Sequence, residues 1–276
     1  MTIEIEILFP NRGSGVVIAP AGLSTPAARS LGVKVEGAAR EDLSCAASGQ
    51  TVMQLTPKAE TIRLTYAYEA SAVSYPDAMF EHRDSRYTRA ADDLAADARR
   101  FSNAEDLVAY VTGLFTYGHV DKRFYEDRDA MPQLCAMTTG SCVDINAYLV
   151  AAARAAGIEA GYVTGYFIPA EKRTSTNDMH CWVATRQNGG VQHWDIAHHL
   201  KMGTRDIQPS LNPKPGVRVA VSHSMGWFVP ELGMMDAKLL AEPVWILEDG
   251  SFERPALTIE LQGFDALSAA QNLERV

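Results

Sequence analysis

The hydrophobic period of this chain first changes near residue 85, and that change restricts the fold more than any other feature. Before it, apolar residues recur at every second position. Ile3, Ile5 and Ile7 alternate with Glu4 and Glu6, and Ile62, Leu64, Tyr66 and Tyr68 alternate with Arg63, Thr65 and Ala67. A period of two marks strands with one buried face. Short runs at 16–19, 33–35 and 52–55, punctuated by Gly, Pro and Ser, continue the pattern, so residues 1–85 are expected to form a β-sandwich-like domain. After Tyr87 the period becomes helical. Thr88–Arg100 has helical composition, Ser102-Asn103-Ala104-Glu105 has the form of a capping box, and Leu107, Val108, Val111, Leu114 and Phe115 share one helical face.

A polar stretch over 118–140 then leads to a third helix, Ser141–Ala156. Its apolar side is Ile145, Leu149, Ala152, Ala153 and Ala156, and Gly157 is placed to end it. Connections this long without their own structure are usually functional or disordered, and this one ends at Cys142. Beyond it come a strand at 160–168, a polar loop at 169–178, and a hairpin. In the hairpin Cys181–Arg186 and Val191–Ile196 flank Asn188-Gly189, the favoured pair for a two-residue type I′ turn. Short strands at 217–222, 244–247 and 257–261 close the chain. The expected class is α+β, with an N-terminal β domain over 1–85 and a second domain over 86–276 that carries C-terminal β segments.

Composition excludes several functions. Lys and Arg number 25 against 34 Asp and Glu, a net charge of −9, without a basic cluster that would grip nucleic acid or an anionic membrane surface. The longest unbroken apolar run, Ala147–Ala153, is far below the roughly 18 residues of a spanning helix. The opening Met-Thr-Ile-Glu-Ile-Glu-Ile lacks the basic and apolar regions of a signal peptide. A cytoplasmic, reducing location is therefore expected, in which Cys45, Cys135, Cys142 and Cys181 need not pair. Their spacing contains no Cys-x-x-Cys and matches no structural zinc pattern.

Cys142 stands where the long loop becomes a helix, after Gly140-Ser141. A thiol there faces free backbone N–H groups and the positive end of the helix dipole, which favour its thiolate. The hairpin supplies possible partners. With Asn188-Gly189 as the loop, Gln187 lies opposite Gly190, Trp182 opposite Asp195 and His180 opposite Ala197. His180, Trp182, His193 and Asp195 then share a face, with the Asp195 carboxylate diagonal to the His180 ring. Cys181, Val183, Trp194 and Ile196 point the other way, toward the core, so Cys181 is expected to matter for packing rather than for activity. Cys142, His180 and Asp195 thus become candidate nucleophile, base and orienting acid, with Trp182 and His193 lining the cleft. His180, Cys181, His193, His198 and His199 also form a cluster that resembles zinc ligands. Strand alternation separates Cys181 from His180, and neither metal nor cofactor is expected.

The same residues resemble a known family. Gly140-Ser141-Cys142-Val143-Asp144-Ile145-Asn146-Ala147, followed by Ala155-Ala156-Gly157-Ile158-Glu159-Ala160 and Val163-Thr164-Gly165-Tyr166, looks like the core of the transglutaminase-like superfamily. His180-Cys181-Trp182 resembles that family's H-A-W, and Trp194-Asp195-Ile196-Ala197 its W-x-x-D-P-T. The likeness spans about 103–200 and implies a papain-like core in which Cys142 is nucleophile, His180 base and Asp195 orienter. The β-rich 1–85 also resembles the N-terminal domain of bacterial members. Cys181 stands where the family has Ala, Ile196-Ala197 where it has Pro-Thr, and Gly161 where it has Arg. No Trp precedes Cys142, so the oxyanion contacts expected are the Cys142 N–H with Tyr117 or Gln133. No D-x-D-x-D-G-type calcium loop is present. The activity implied is attack on an amide through a thioester at Cys142, with hydrolysis of a peptide or small isopeptide-like amide favoured. Acyl transfer to an amine, or a non-catalytic binding module on the same fold, are the alternatives.

Overall fold

The computed structural model describes residues 2–81, 85–177, 179–210 and 212–273. Six strands come first: β1 (Thr2–Pro10), β2 (Val16–Pro20), β3 (Ala28–Glu36), β4 (Ala38–Ser44), β5 (Thr51–Pro57) and β6 (Thr61–Ala70). Next are α1 (Asp92–Ala98), α2 (Ala104–Leu114), β7 (Phe115–Tyr117), β8 (Thr138–Gly140) and α3 (Cys142–Ala155). The strands β9 (Glu159–Pro169), β10 (Ser175–Thr176), β11 (Met179–Gln187) and β12 (Gly190–Trp194) lead to α4 (Ile196–Lys201). The chain finishes with β13 (Gly216–His223), β14 (Trp227–Val229), β15 (Met234–Ala237), β16 (Val244–Ile246), β17 (Phe252–Glu253), β18 (Thr258–Gln262) and α5 (Phe264–Leu273).

Two five-stranded sheets, ordered β10-β18-β1-β6-β3 and β17-β16-β2-β5-β4, build the sandwich. The alternating Ile3, Ile5, Ile7, Ile62, Leu64, Tyr66 and Tyr68 fill its core together with Val17, Met53 and Leu55 from the facing sheet. The last strands of the chain complete both sheets. Ile5 of β1 pairs with Leu261, and Val17 of β2 pairs with Trp245. Of the three C-terminal β segments expected, only β13 joins the middle sheet, and the other two return to the N-terminal sandwich. The burial of β18 alternates along its length, so it needs one edge and one core to cover a single face, and β1 offers both.

The middle sheet is antiparallel in the order β12-β11-β9-β13. α3 packs against it and is buried from Asp144 to Ala153, where four alanines let helix and sheet approach closely. Its end is a Schellman motif: the Gly157 N–H reaches Arg154 O (3.1 Å), the Ile158 N–H reaches Ala153 O (2.9 Å), and Gly157 has φ +78°. The hairpin has the expected register, with Gln187 opposite Gly190 and Val183 opposite Trp194. Asn188 (φ 52°) and Gly189 (φ 78°) both occupy the left-handed region that a type I′ turn requires.

Three local expectations shift. α1 covers only Asp92–Ala98, because Ala91 N–H bonds to Met131 O and Met131 N–H to Arg89 O, drawing 89–91 into extended pairing with the loop. The cap of α2 is Asn103, not Ser102. Asn103 Oδ1 accepts from Asp106 N (2.8 Å), while Gln187 takes the Ala104 N–H (3.0 Å) and donates to Ser102 O (3.2 Å). Finally, β12 stops at Trp194 and Asp195 caps α4, its Oδ1 accepting from His198 N (3.0 Å). Ala197 is therefore helical and does not face His180. Asp178, the last residue of the expected polar loop, lies outside the described residues.

Candidate active site

Cys142 is the first residue of α3, where the backbone N–H groups have no intrahelical acceptor. The turn beneath it is held by Asp144. This buried carboxylate accepts from Ser141 N (2.9 Å), Ser141 Oγ (2.6 Å) and the Tyr125 hydroxyl, with Arg123 Nε at 3.2 Å and Lys238 Nζ at 3.7 Å. Burial alone would raise the Asp144 pKa, but the Ser141 and Tyr125 hydrogen bonds hold it below the usual range. The role of Asp144 is to fix the helix start. Cys142 itself is half-buried and opens into a cleft of about 610 Å³ that His180, Phe167, His198 and Tyr117 also line.

His180 lies near the start of β11, opposite Gly165 of β9. Its Nε2 is 2.6 Å from Asp195 Oδ2. With that contact made as N–H to carboxylate, the lone pair sits on Nδ1. Asp195 is 1 % exposed and stays ionised. Burial pushes its pKa up, but the His180 and Arg218 charges and its hydrogen bonds prevail and hold it well below the ordinary value. Arg218 Nη2 lies 3.1 Å from the same Oδ2. Sequence reasoning missed this arginine, since an Arg alternating with Val217, Val219 and Val221 reads as the solvent side of an ordinary strand. The register Arg218–Phe167 and Gly165–His180 puts it on the His180 face. There its guanidinium lies 5.5 Å over Trp182, and Gln271 of α5 binds its backbone on both sides (3.1 and 2.5 Å).

Cys181 is fully buried in the core beside Val183 and Trp194, on the face expected. α3 covers that same face. The Cys181 thiol is the largest influence on Cys142; burial opposes it and the His180 charge adds to it, leaving the Cys142 thiol lowered to about 7. Asn146, one turn along α3, donates to Cys181 O (2.9 Å) and to its Sγ (3.4 Å). Burial and the Cys142 thiol push the Cys181 thiol well above its ordinary value.

The remaining site residues divide. Tyr117 lines the cleft, its strand pairing with Gly140 just before Cys142. Gln133 does not: its side chain is turned to Tyr110 OH (2.9 Å) and Asp97 Oδ2 (3.2 Å), which withdraws it as an oxyanion donor. Trp182 and His193 also leave the Cys142 cleft. They border a separate cavity of about 40 Å³ with Tyr75 and Arg218, because Tyr75, Met79 and Phe80 cover the His180 face two residues into the strand. Burial, with Arg218 nearby, lowers the His193 pKa to about 3, so this ring is neutral against Tyr75 OH (3.0 Å).

Of the histidine–cysteine cluster, His180 and His198 meet, with Asp195 rather than a cysteine, all three ligand atoms lying within 4.8 Å of one another. The Arg218 cation on the shared carboxylate opposes a second positive charge there.

Residues 85–196 match the family model of the transglutaminase-like superfamily, a segment that contains Cys142, His180 and Asp195. Among solved structures, a proposed cysteine protease from Cytophaga hutchinsonii is similar over 95 % of this chain and 96 % of that chain, with a TM-score of 0.50 and 14 % identity. The fold is therefore shared across the whole length. The periplasmic domain of TgpA from Pseudomonas aeruginosa, bound to ethylmercury, matches 69 % of this chain and 74 % of that one at a TM-score of 0.32 and 17 % identity. No curated protein matches the sequence.

Proposed function

We propose, from the match of residues 85–196 to the transglutaminase-like superfamily, that this chain is a cysteine amide hydrolase acting through Cys142. The observation that carries this reading is a lowered-pKa thiol at a helix start, sharing one cleft with a histidine bonded to a buried carboxylate. The Cys142 thiolate attacks the acyl carbon of a peptide or small isopeptide-like amide. The developing oxyanion is met by the Cys142 N–H and the Tyr117 hydroxyl. His180, which has taken the Cys142 proton on Nδ1, gives it to the departing amine and leaves a thioester on Cys142. Water, deprotonated by His180, then displaces the sulfur and releases the acid. Asp195, held by Arg218 and the α4 N-terminus, keeps the imidazole in one tautomer and stabilises its cation.

Hydrolysis is favoured because no motif in the sequence points to a dedicated amine site. To test this, wild type and Cys142→Ala are incubated with a peptide library and with amine-free buffer, and the products are identified by mass spectrometry. The reading predicts new free carboxylates and a thioester on Cys142 in wild type alone. Products retained by Cys142→Ala, or formed only when an amine is supplied, count against hydrolysis at this thiol.

A further inference from the structure

The Arg218 that holds the Asp195 carboxylate lies outside the segment 85–196 that matches the family, on β13 at the edge of the middle sheet. An edge strand leaves alternate N–H and C=O groups without a neighbouring strand. Arg218 is at such a position. Its N–H donates to Gln271 Oε1 (3.1 Å) and its C=O accepts from Gln271 Nε2 (2.5 Å), so one side-chain amide closes the ring that a further strand would close. Just beyond, the register with β9 shifts between Ala220 and Ser222, and such a bulge re-aims side chains. The regular ladder thus ends close to Arg218, and the amide bridge pins its backbone on the open side.

The bridge comes from α5, whose other end is anchored in the sandwich. Leu267 is fully buried in that core with Phe264 packed against it. Asp265 pairs with Arg173 (2.6 Å), whose guanidinium lies 4.6 Å over the Phe264 ring. Leu267 and Gln271 stand one helical turn apart, so they share a face of α5. On the catalytic side, Arg218 Nη2 and His180 Nε2 meet the same oxygen, Asp195 Oδ2, at 3.1 and 2.6 Å. The Arg218 and Asp195 side chains are shielded from water, 9 % and 0 % exposed, so a shift of β13 would move the guanidinium directly against that oxygen. We infer that Gln271 is a positioning residue: it latches α5 to β13, sets Arg218 on Asp195, and so aims the Asp195–His180 hydrogen bond. Gln271 matters for catalysis only if His180 and Asp195 are the base and orienting acid of the proposed hydrolase, the reading on which this inference rests. It does not line the Cys142 cleft, so its loss should lower kcat and leave KM unchanged.

The test uses the full chain carrying Gln271→Ala or Gln271→Leu, the second of which keeps comparable bulk and removes only the amide. The ring nitrogens of His180 are read in a proton–nitrogen NMR correlation spectrum, assigned by their loss in His180→Ala, and turnover is read on a peptide anilide. Wild type should carry the imidazole proton on Nε2, and both Gln271 variants should show a mixture of tautomers. Their kcat should fall by about tenfold with KM unchanged. Arg218→Gln should also lower kcat, and adding Gln271→Ala to it should cost less than about twofold more, because the two act in series. Arg218→Lys replaces Arg218→Gln in this cycle if the latter folds poorly. Gln271 variants with wild-type kcat and unmoved His180 nitrogens overturn the inference, even if their denaturation midpoint falls. A mixture of tautomers already present in wild type overturns it too, as does a full tenfold loss on adding Gln271→Ala to the Arg218 variant. Failure of the hydrolase reading looks different: wild type has the Nε2 proton but no Cys142-dependent turnover, and the His180 nitrogens alone then decide whether Gln271 aims the pair.

Discussion

At the sulfur of Cys142 three influences compete. Burial favours the thiol, while the Cys181 thiol and the His180 charge favour the thiolate and together lower the pKa to about 7. Because the shift is downward, the thiolate population rises through pH 7 rather than through the ordinary cysteine value of about 8.5. The rate of iodoacetamide alkylation at Cys142, followed against pH, should therefore have its midpoint near 7. Cys181→Ala should move that midpoint upward, since it removes the largest favourable influence. A midpoint unmoved by that change would mean that the helix start and His180 suffice. In the proposed mechanism nucleophile and base act as a unit, so Cys142→Ser and His180→Ala should each reduce amide turnover by about a hundredfold or more. Near-wild-type turnover in either would be incompatible with the assigned roles. Cys142, His180 and Asp195 were legible in the sequence because each carries a local signal: a helix start, a strand opening, and a carboxylate in an apolar strand. Arg218 and Asn146 were not, because what marks them is a partner distant in sequence.

The hairpin and α3 are the elements that bring those residues together, and both declare themselves through turn chemistry. Gly189 has φ +78° with nothing within 4 Å of where a Cβ would stand. The cost of a side chain there is therefore conformational alone. Gly189→Ala should destabilise the protein by roughly 1–2 kcal/mol, seen as a lower denaturation midpoint, without lowering turnover at temperatures where the variant is folded. An unchanged midpoint would mean that the turn is not of the I′ type. The end of α3 was equally readable from Gly157. Element boundaries set by tertiary partners were not. The start of α2 moves by one residue because Gln187 claims the flanking groups, and β12 gives way to α4 because Asp195 caps the helix while binding His180. That double duty brings the carboxylate to the imidazole by a route different from the strand facing expected. It also explains why His193, still on the strand, ends in the neighbouring cavity.

Over the whole molecule, the two ends of the chain close one sandwich, a pairing between distant edges that periodicity alone does not disclose. Charge is also unevenly placed. The chain carries −9 overall, yet among the described residues the cleft is bordered by Arg123, Lys172, Lys201, Lys214 and Arg254 against Glu171 and Glu242. Those two acids pair with Lys214 and Arg254, and Lys172 and Lys201 have no carboxylate partner among the described residues. Negatively charged reagents should thus be drawn to Cys142. Relative to a small free thiol, the iodoacetate-to-iodoacetamide rate ratio should be raised about tenfold at low salt and fall as salt screens the cleft. Lys172→Glu with Lys201→Glu should bring it down; a ratio indifferent to both salt and charge reversal would refute the field. The central claim, covalent catalysis at Cys142, is tested most directly by acid-quenching the enzyme during turnover of a peptide anilide and locating the acyl group by mass spectrometry. The account predicts one acyl group per chain, on Cys142, released by hydroxylamine and absent from Cys142→Ala. Turnover that persists in Cys142→Ala, or an acyl group found on another residue, would contradict it.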